Sequence, residues 1–163
     1  MIIEICSQKS AIEQALHIQE NTSIISIVSS DERDVIFCQN DKIGGILHLK
    51  FNDLTSEYDD EGIPYGRPLP RSKDLTGLKQ FVEGLQCDRL LIHCWEGSSR
   101  SAAVAAAVYE FRGSRDTLLT HNRFVPNPLV YRLACSELGI NRGDLRYRMI
   151  PEGMETWRLE AFK

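Results

Sequence analysis

Apolar positions along the chain come in short bursts with two different periods. Ile2–Ile5 predicts a brief first strand. Ser10-Ala11-Ile12-Glu13 has the form of a capping box, and Ile12, Ala15 and Leu16 behind it fall on one helical face. Ser23–Val28 is apolar and β-branched and predicts a second strand, and Val35–Cys38 a further short one. Ile46–Phe51 alternates, which sets Leu47, Leu49 and Phe51 on one side of a strand. The pattern then stops. From Asp53 to Arg71 the chain is polar, rich in Gly and Pro, and without periodicity. A loop of that length is either a solvated connector or a functional segment.

Beyond it the helical period returns. Ser72 is placed to cap a helix whose stripe is Leu75, Leu78, Phe81, Val82 and Leu85. Leu90-Leu91-Ile92 is a continuous apolar run, as in a central strand covered on both faces. Ser101–Phe111 predicts a helix of small apolar residues, buried along its length and ended by Gly113. Asn127-Pro128 reads as an N-cap with proline at the first helical position, and that helix runs to Leu138 before Gly139 stops it. From Asn141 onward no element is predicted, although Trp157 and Phe162 are candidates to pack back on the body. Strands alternating with helices predict an α/β fold with a short, mostly parallel central sheet and helices on both faces. At 163 residues the chain suits a single domain, 1–163.

Composition narrows the function classes. With 42% hydrophobic and 26% charged residues the chain is of the ordinary soluble globular kind. A net charge of -4 argues against nucleic acid or an acidic membrane surface as partner. No apolar run is long enough to span a bilayer. The N-terminus, MIIEICSQKS, lacks a basic stretch before an apolar one, so no signal peptide is expected and a cytoplasmic location is predicted. The cysteines, Cys6, Cys38, Cys87, Cys94 and Cys135, are odd in number and widely spaced, which fits reduced thiols. There is no CxxC pair and the histidines do not cluster, so a structural zinc site is not expected; no other metal and no cofactor is predicted.

The chemistry concentrates in one segment, LLIHCWEGSSRSAAVAAAVYEFRG, residues 90–113. A thiol at the end of an apolar strand is followed by a glycine, polar residues and an arginine, and then by the start of a buried helix. Backbone N–H groups in such a turn form a nest for an anion, and the helix N-terminus adds donors and a positive field. Gly97 permits backbone conformations that a Cβ hinders. Arg100 can fork two N–H donors onto two phosphate oxygens. A positive field of this kind lowers a thiol's pKa and makes it a nucleophile at neutral pH. The nest residues are Trp95, Glu96, Gly97, Ser98, Ser99 and Arg100.

The run His93-Cys94-Trp95-Glu96-Gly97-Ser98-Ser99-Arg100-Ser101 resembles the signature of the cysteine-based protein tyrosine phosphatases, in the form seen in the dual-specificity branch and its bacterial relatives. Outside this segment only the order of elements corresponds. The resemblance implies a phosphotyrosine phosphatase-like fold and metal-independent hydrolysis of a phosphomonoester through a phosphocysteine. Cys94 would attack phosphorus, Arg100 would bind the equatorial oxygens, and Ser101 would help the thiolate leave. His93 would orient the loop and help keep Cys94 ionised. The family's usual acid is an aspartate on a loop. No Trp-Pro-Asp triplet occurs here, and Asp53, in Phe51-Asn52-Asp53, is the best match, with Asp59 and Asp60 as rivals. Some bacterial relatives carry Pro-Asn at a place comparable to Asn127, but a cap alone is its favoured reading.

The loop from Cys94 to Arg100 carries Glu96 and no lysine or arginine besides Arg100, which disfavours highly phosphorylated lipids or inositols and favours a phosphorylated protein or a small phosphomonoester. A phosphate-binding module without turnover is the alternative. Sulfur transfer or arsenate reduction ranks last, because the loop has no second cysteine. Cys38 or Cys87 is the candidate to form a disulfide with an oxidised Cys94.

Overall fold

The computed structural model describes residues 1–113 and 124–140. Four strands, β1 (Ile2–Ser7), β2 (Thr22–Val28), β3 (Ile43–Lys50) and β4 (Arg89–Cys94), form one sheet in the order β1-β4-β2-β3, and every pairing is parallel. Helices α1 (Gln8–Ala15), α2 (Leu78–Glu83), α3 (Arg100–Phe111) and α4 (Pro128–Leu138) cover it. The two continuous apolar runs take the two central places. β2 is buried along its whole length and β4 from Leu90 to Cys94, as a strand covered on both faces must be.

Alternation along the strands divides their side chains between two layers. Ile25, Ile27, Leu90, Ile92 and Cys94 face the larger layer, where α3 and α4 pack together with Leu75, Leu78 and Val82. Ile24 and Leu91 face the smaller layer, against Ala11 of α1. Fully burying an Ile or Leu in these layers contributes about 1.5–3 kcal/mol each. The alanines of α3, Ala102 to Ala107, are all buried and let that helix lie close on the sheet. Neighbouring residues therefore leave β4 on opposite faces: His93 toward α1, where its ring meets Phe37 edge-on at 5.7 Å, and Cys94 toward α3.

Several sequence expectations are revised. α1 starts at Gln8, with the Ser7 hydroxyl accepting from the Ser10 N–H at 3.2 Å, so β1 runs straight into the helix and Ser10 is not its cap. The buried face of α1 is Ala11 and Ala15, while Ile12 and Leu16 are exposed. Val35–Cys38 is no strand. It belongs to the crossover that parallel neighbours β2 and β3 require, and it is pinned to the end of α1, with Cys38 Sγ and Asn40 Nδ2 both donating to the Ala15 carbonyl. The stripe from Leu75 to Leu85 holds, but not as one helix. Residues 72–75 form a 3-10 turn, and α2 begins after Gly77, whose φ of +90° breaks the run. The ends predicted at Gly113 and Gly139 hold, each glycine having positive φ. Trp157 and Phe162 lie outside the described residues.

Candidate active site

β4 ends at Cys94 and α3 begins at Arg100, so the loop between them crosses the C-terminal edge of the sheet, the side on which open α/β sheets hold ligands. Gly97 makes its path possible. Its φ is +76°, and a Cβ there would lie 2.4 Å from the Cys6 carbonyl carbon, 2.5 Å from its oxygen and 2.6 Å from the Ser7 nitrogen. Only glycine lets the loop pass this close over the end of β1. The loop's carbonyls are taken up from outside: Trp95 accepts from the Gln8 N–H at 3.2 Å, Ser98 from Val125 at 2.9 Å and Ser99 from Asn127 at 3.4 Å. Among the described residues, no backbone N–H of residues 95–99 donates to a protein acceptor. Carbonyls out and amides free is the arrangement of an anion nest.

Cys94 is 2% exposed, and its Sγ lies 3.1 Å from Ser101 Oγ on the first turn of α3. Arg100 is also buried and is held from the ends of two other strands. Its Nη1 donates to the Phe51 carbonyl at 3.0 Å, just past β3, and to Ser29 Oγ at 3.3 Å, just past β2. Its Nε is buried without a hydrogen-bond partner, a condition that costs about 1–3 kcal/mol until an acceptor arrives.

Asp53 meets this arginine from the side, with Oδ2 3.9 Å from Arg100 Nε. Its other oxygen, Oδ1, accepts from Ser99 Oγ and from Asn127 Nδ2, both at 2.8 Å. Cys94, Arg100 and Asp53 line one pocket of about 320 Å³ with Trp95 and Glu96 at its rim. Neither rival aspartate lines it. Asp59 Oδ1 instead accepts from the N–H groups of Glu61 and Ile63, closing a turn. Five further side chains belong to the site. Ser29, Asn52, Leu54 and Arg67 line the pocket, and Asn127, for which the sequence favours a cap alone, reaches Asp53. Ser29 had a usable signal, since it directly follows a central strand. Arg67 had none, because its segment has no period to place it.

His93 is fully buried one residue before the end of β4. Its Nε2 is paired with Ser26 Oγ of β2 at 2.9 Å, which ties the two central strands together beneath the loop. Burial pushes its pKa from 6.5 down to about 4; a hydrogen bond with the Cys94 backbone opposes the shift, and His48 and Arg100 add to it. The ring is neutral at pH 7 and lends Cys94 no positive charge. The cysteines expected as disulfide partners are both elsewhere. Cys38 bonds the end of α1. Cys87 precedes β4 while Cys94 ends it, and β4 alone spans about 17 Å at 3.3 Å per residue. All five cysteines are free thiols. Burial raises Cys6 to about 12 and Cys135 to about 11. Among the described residues no group of three or more His, Cys, Asp or Glu side chains is placed to hold a metal ion, and no helix is long and apolar enough to cross a membrane. No family model matches the chain, and no curated protein matches it at a significant level.

Proposed function

We propose that the protein is a phosphomonoester hydrolase of the protein tyrosine or dual-specificity phosphatase type, acting through a phosphocysteine on Cys94. The observation that carries the reading is the shared pocket in which a buried thiol, 3.1 Å from a serine hydroxyl, stands beside a buried arginine with an unused N–H. The Cys94 thiolate attacks phosphorus, a P–S bond forms, and the bond to the leaving oxygen breaks. That oxygen takes a proton from Asp53. Oδ1 already accepts two hydrogen bonds, so Oδ2 is the oxygen that carries the proton. Water then attacks the phosphocysteine and gives its proton to Asp53. The P–S bond breaks, and the Ser101 hydroxyl stabilises the departing thiolate. Arg100 Nε and the free loop amides hold the equatorial oxygens throughout. The net reaction is phosphomonoester plus water to alcohol plus phosphate, and the substrate is a phosphorylated protein or a small phosphomonoester.

The test is hydrolysis of an aryl phosphate with a chelator present. Turnover blocked by vanadate and abolished in Cys94→Ser is the expected result. Turnover that survives Cys94→Ser overturns the reading. One observation favours a second possibility: the Asp53 carboxylate is engaged by Ser99, Asn127 and Arg100 together. If that hold keeps the carboxyl from reaching the leaving oxygen, the pocket binds phosphorylated partners without turning them over. Vanadate or phosphopeptide binding that requires Arg100, with no hydrolysis, marks that case.

A further inference from the structure

Beyond Asn52 lies a second cavity of about 180 Å³, lined by Lys50, Arg71 and Lys73 and by one carboxylate, Asp74. Asn52 lines both cavities and is a fixed divider. It is 3% exposed, its Oδ1 accepts from Ser30, and its Nδ2 donates to the Pro68 carbonyl at 3.0 Å. That last bond pins the segment Arg67-Pro68-Leu69-Pro70-Arg71-Ser72-Lys73 against the divider. The segment sends Arg67 into the first pocket and Arg71 and Lys73 into the second. Its two prolines restrict the backbone, so the spacing of these cations is preset. Four residues of chain span at most about 14 Å, which bounds the Cα–Cα separation of Arg67 and Arg71.

The charges of the second cavity are poorly compensated. Asp74 Oδ2 is occupied by the Arg71 backbone N–H at 2.9 Å. Lys50 has Asp34 at 3.2 Å. Among the described residues, no carboxylate lies within ion-pair distance of the Arg71 guanidinium or the Lys73 ammonium. In a chain of net charge -4, a cavity with three cations and one carboxylate is a local reversal of sign. Like charges held together repel, and an oxyanion among them removes that cost.

We infer that the Lys50–Arg71–Lys73 cavity binds a second phosphate-type oxyanion, carried on the same substrate as the phosphate that enters the Cys94 pocket. This rests on the phosphate-pocket reading above and names its substrate class: a phosphomonoester that carries a second phosphate, placed to reach across Asn52 into the neighbouring cavity. The sequence expectation against multiply charged substrates considered only the loop after Cys94. The cations lie on another segment.

The test uses the full chain as Cys94→Ser, titrated with a phosphotyrosine peptide and with the same peptide phosphorylated again two residues away, on either side. Inorganic phosphate is titrated in parallel while the amide NMR signals of Lys50, Arg71 and Lys73 are followed. The doubly phosphorylated peptide should bind roughly tenfold more tightly, and Arg71→Gln/Lys73→Gln should erase that advantage while leaving the singly phosphorylated peptide unaffected. Equal affinities, or a preference that survives the double substitution, overturn the inference. So does saturation of the cavity by free phosphate without any peptide preference, since the site then serves a separate anion. If neither peptide binds, the phosphate-pocket reading fails and the same-substrate inference fails with it. Shifts with free phosphate, lost in the double variant, would then show an anion site independent of any substrate.

Discussion

Asn127 joins the candidate acid to the frame of the protein: its Nδ2 donates to Asp53 Oδ1 at 2.8 Å, while its own Oδ1 accepts from the Leu129 and Val130 N–H groups at 3.0 Å. One side chain thus caps α4 and positions Asp53. The two roles separate by substitution. Asn127→Ala loses both, and the cap alone is worth about 1 kcal/mol. Asn127→Ser keeps a capping oxygen and loses the amide donor. Thermal melting of Asn127→Ser should stay close to wild type. Its kcat should fall about tenfold for poor leaving groups and less for good ones, because proton donation matters most where the alkoxide is unstable. An unchanged leaving-group dependence would leave Asn127 as a cap only.

Gly97 admits no side chain. Ala there combines a positive φ with a Cβ 2.4–2.6 Å from the backbone of Cys6 and Ser7. That backbone belongs to β1, which is hydrogen-bonded to β4 and has little room to yield. Gly97→Ala should destabilise the fold by at least about 2 kcal/mol in urea unfolding. It should also weaken vanadate binding, since the free amides of the loop shift with it. A variant with wild-type stability and affinity would mean that the loop adapts in solution.

What the sequence made legible follows from which constraints are local. The central strands, the all-small helix α3 and the Asn127-Pro128 start of α4 were readable because period, burial and capping are local signals. The Cys94–Arg100 loop was readable because strand, glycine, arginine and helix follow one another in the chain. The face of α1 was misread, since Ala11 and Ala15 gain burial only from a sheet that packs too closely for Ile12 or Leu16. Val35–Cys38 was misread as a strand because apolar residues in a crossover also cover the sheet. Arg67 and the hold of Asn127 on Asp53 required tertiary placement, which no spacing along the chain encodes.

His93 gives the protein an acid-side instability. The unfolded chain takes up this proton near pH 6.5, and the folded protein only near about 4. Between those values the unfolded state binds more protons. The stability due to a neutral His93 is therefore complete above pH 6.5, falls as the pH drops toward 4, and changes no further below it. The loss amounts to about 3 kcal/mol at ~1.4 kcal/mol per tenfold change in proton affinity. Urea midpoints of wild type and His93→Gln between pH 7.5 and 4 isolate it. The wild type should lose more stability over that range, and equal losses would show that the ring is protonated in the fold.

Thiol chemistry offers a test that needs no substrate. Burial holds Cys6 and Cys135 as protonated thiols far above neutral pH, so both should resist iodoacetate at pH 6.5. The proposed nucleophile should react first, be protected by vanadate, and be identified at Cys94 by peptide mapping. Arg100→Ala should slow that alkylation, since an anionic reagent enters the pocket through the same donors that hold phosphate. Labelling of Cys6 ahead of Cys94 would count against the proposed nucleophile.

Ser101 tests the second half of the proposed reaction separately from the first. Its hydroxyl lies 3.1 Å from Cys94 Sγ and is fully buried. In the attack the thiolate is consumed, and a nearby hydroxyl that stabilises the thiolate brings little gain there. In hydrolysis of the phosphocysteine the thiolate is regenerated, and the same hydrogen bond lowers the barrier. Ser101→Ala should therefore slow the second step more than the first, by about 10²-fold if the bond is worth 2–3 kcal/mol to the ionised sulfur. Rapid mixing with an aryl phosphate should show a burst of phenol equal to the enzyme concentration, followed by slow turnover, with phosphate trapped on Cys94 after acid quench. The alanine leaves a hole no larger than one oxygen, so the fold should hold. Slowed turnover without a burst would place the role of Ser101 in the attack or in shaping the first turn of α3, and remove it from thiolate departure.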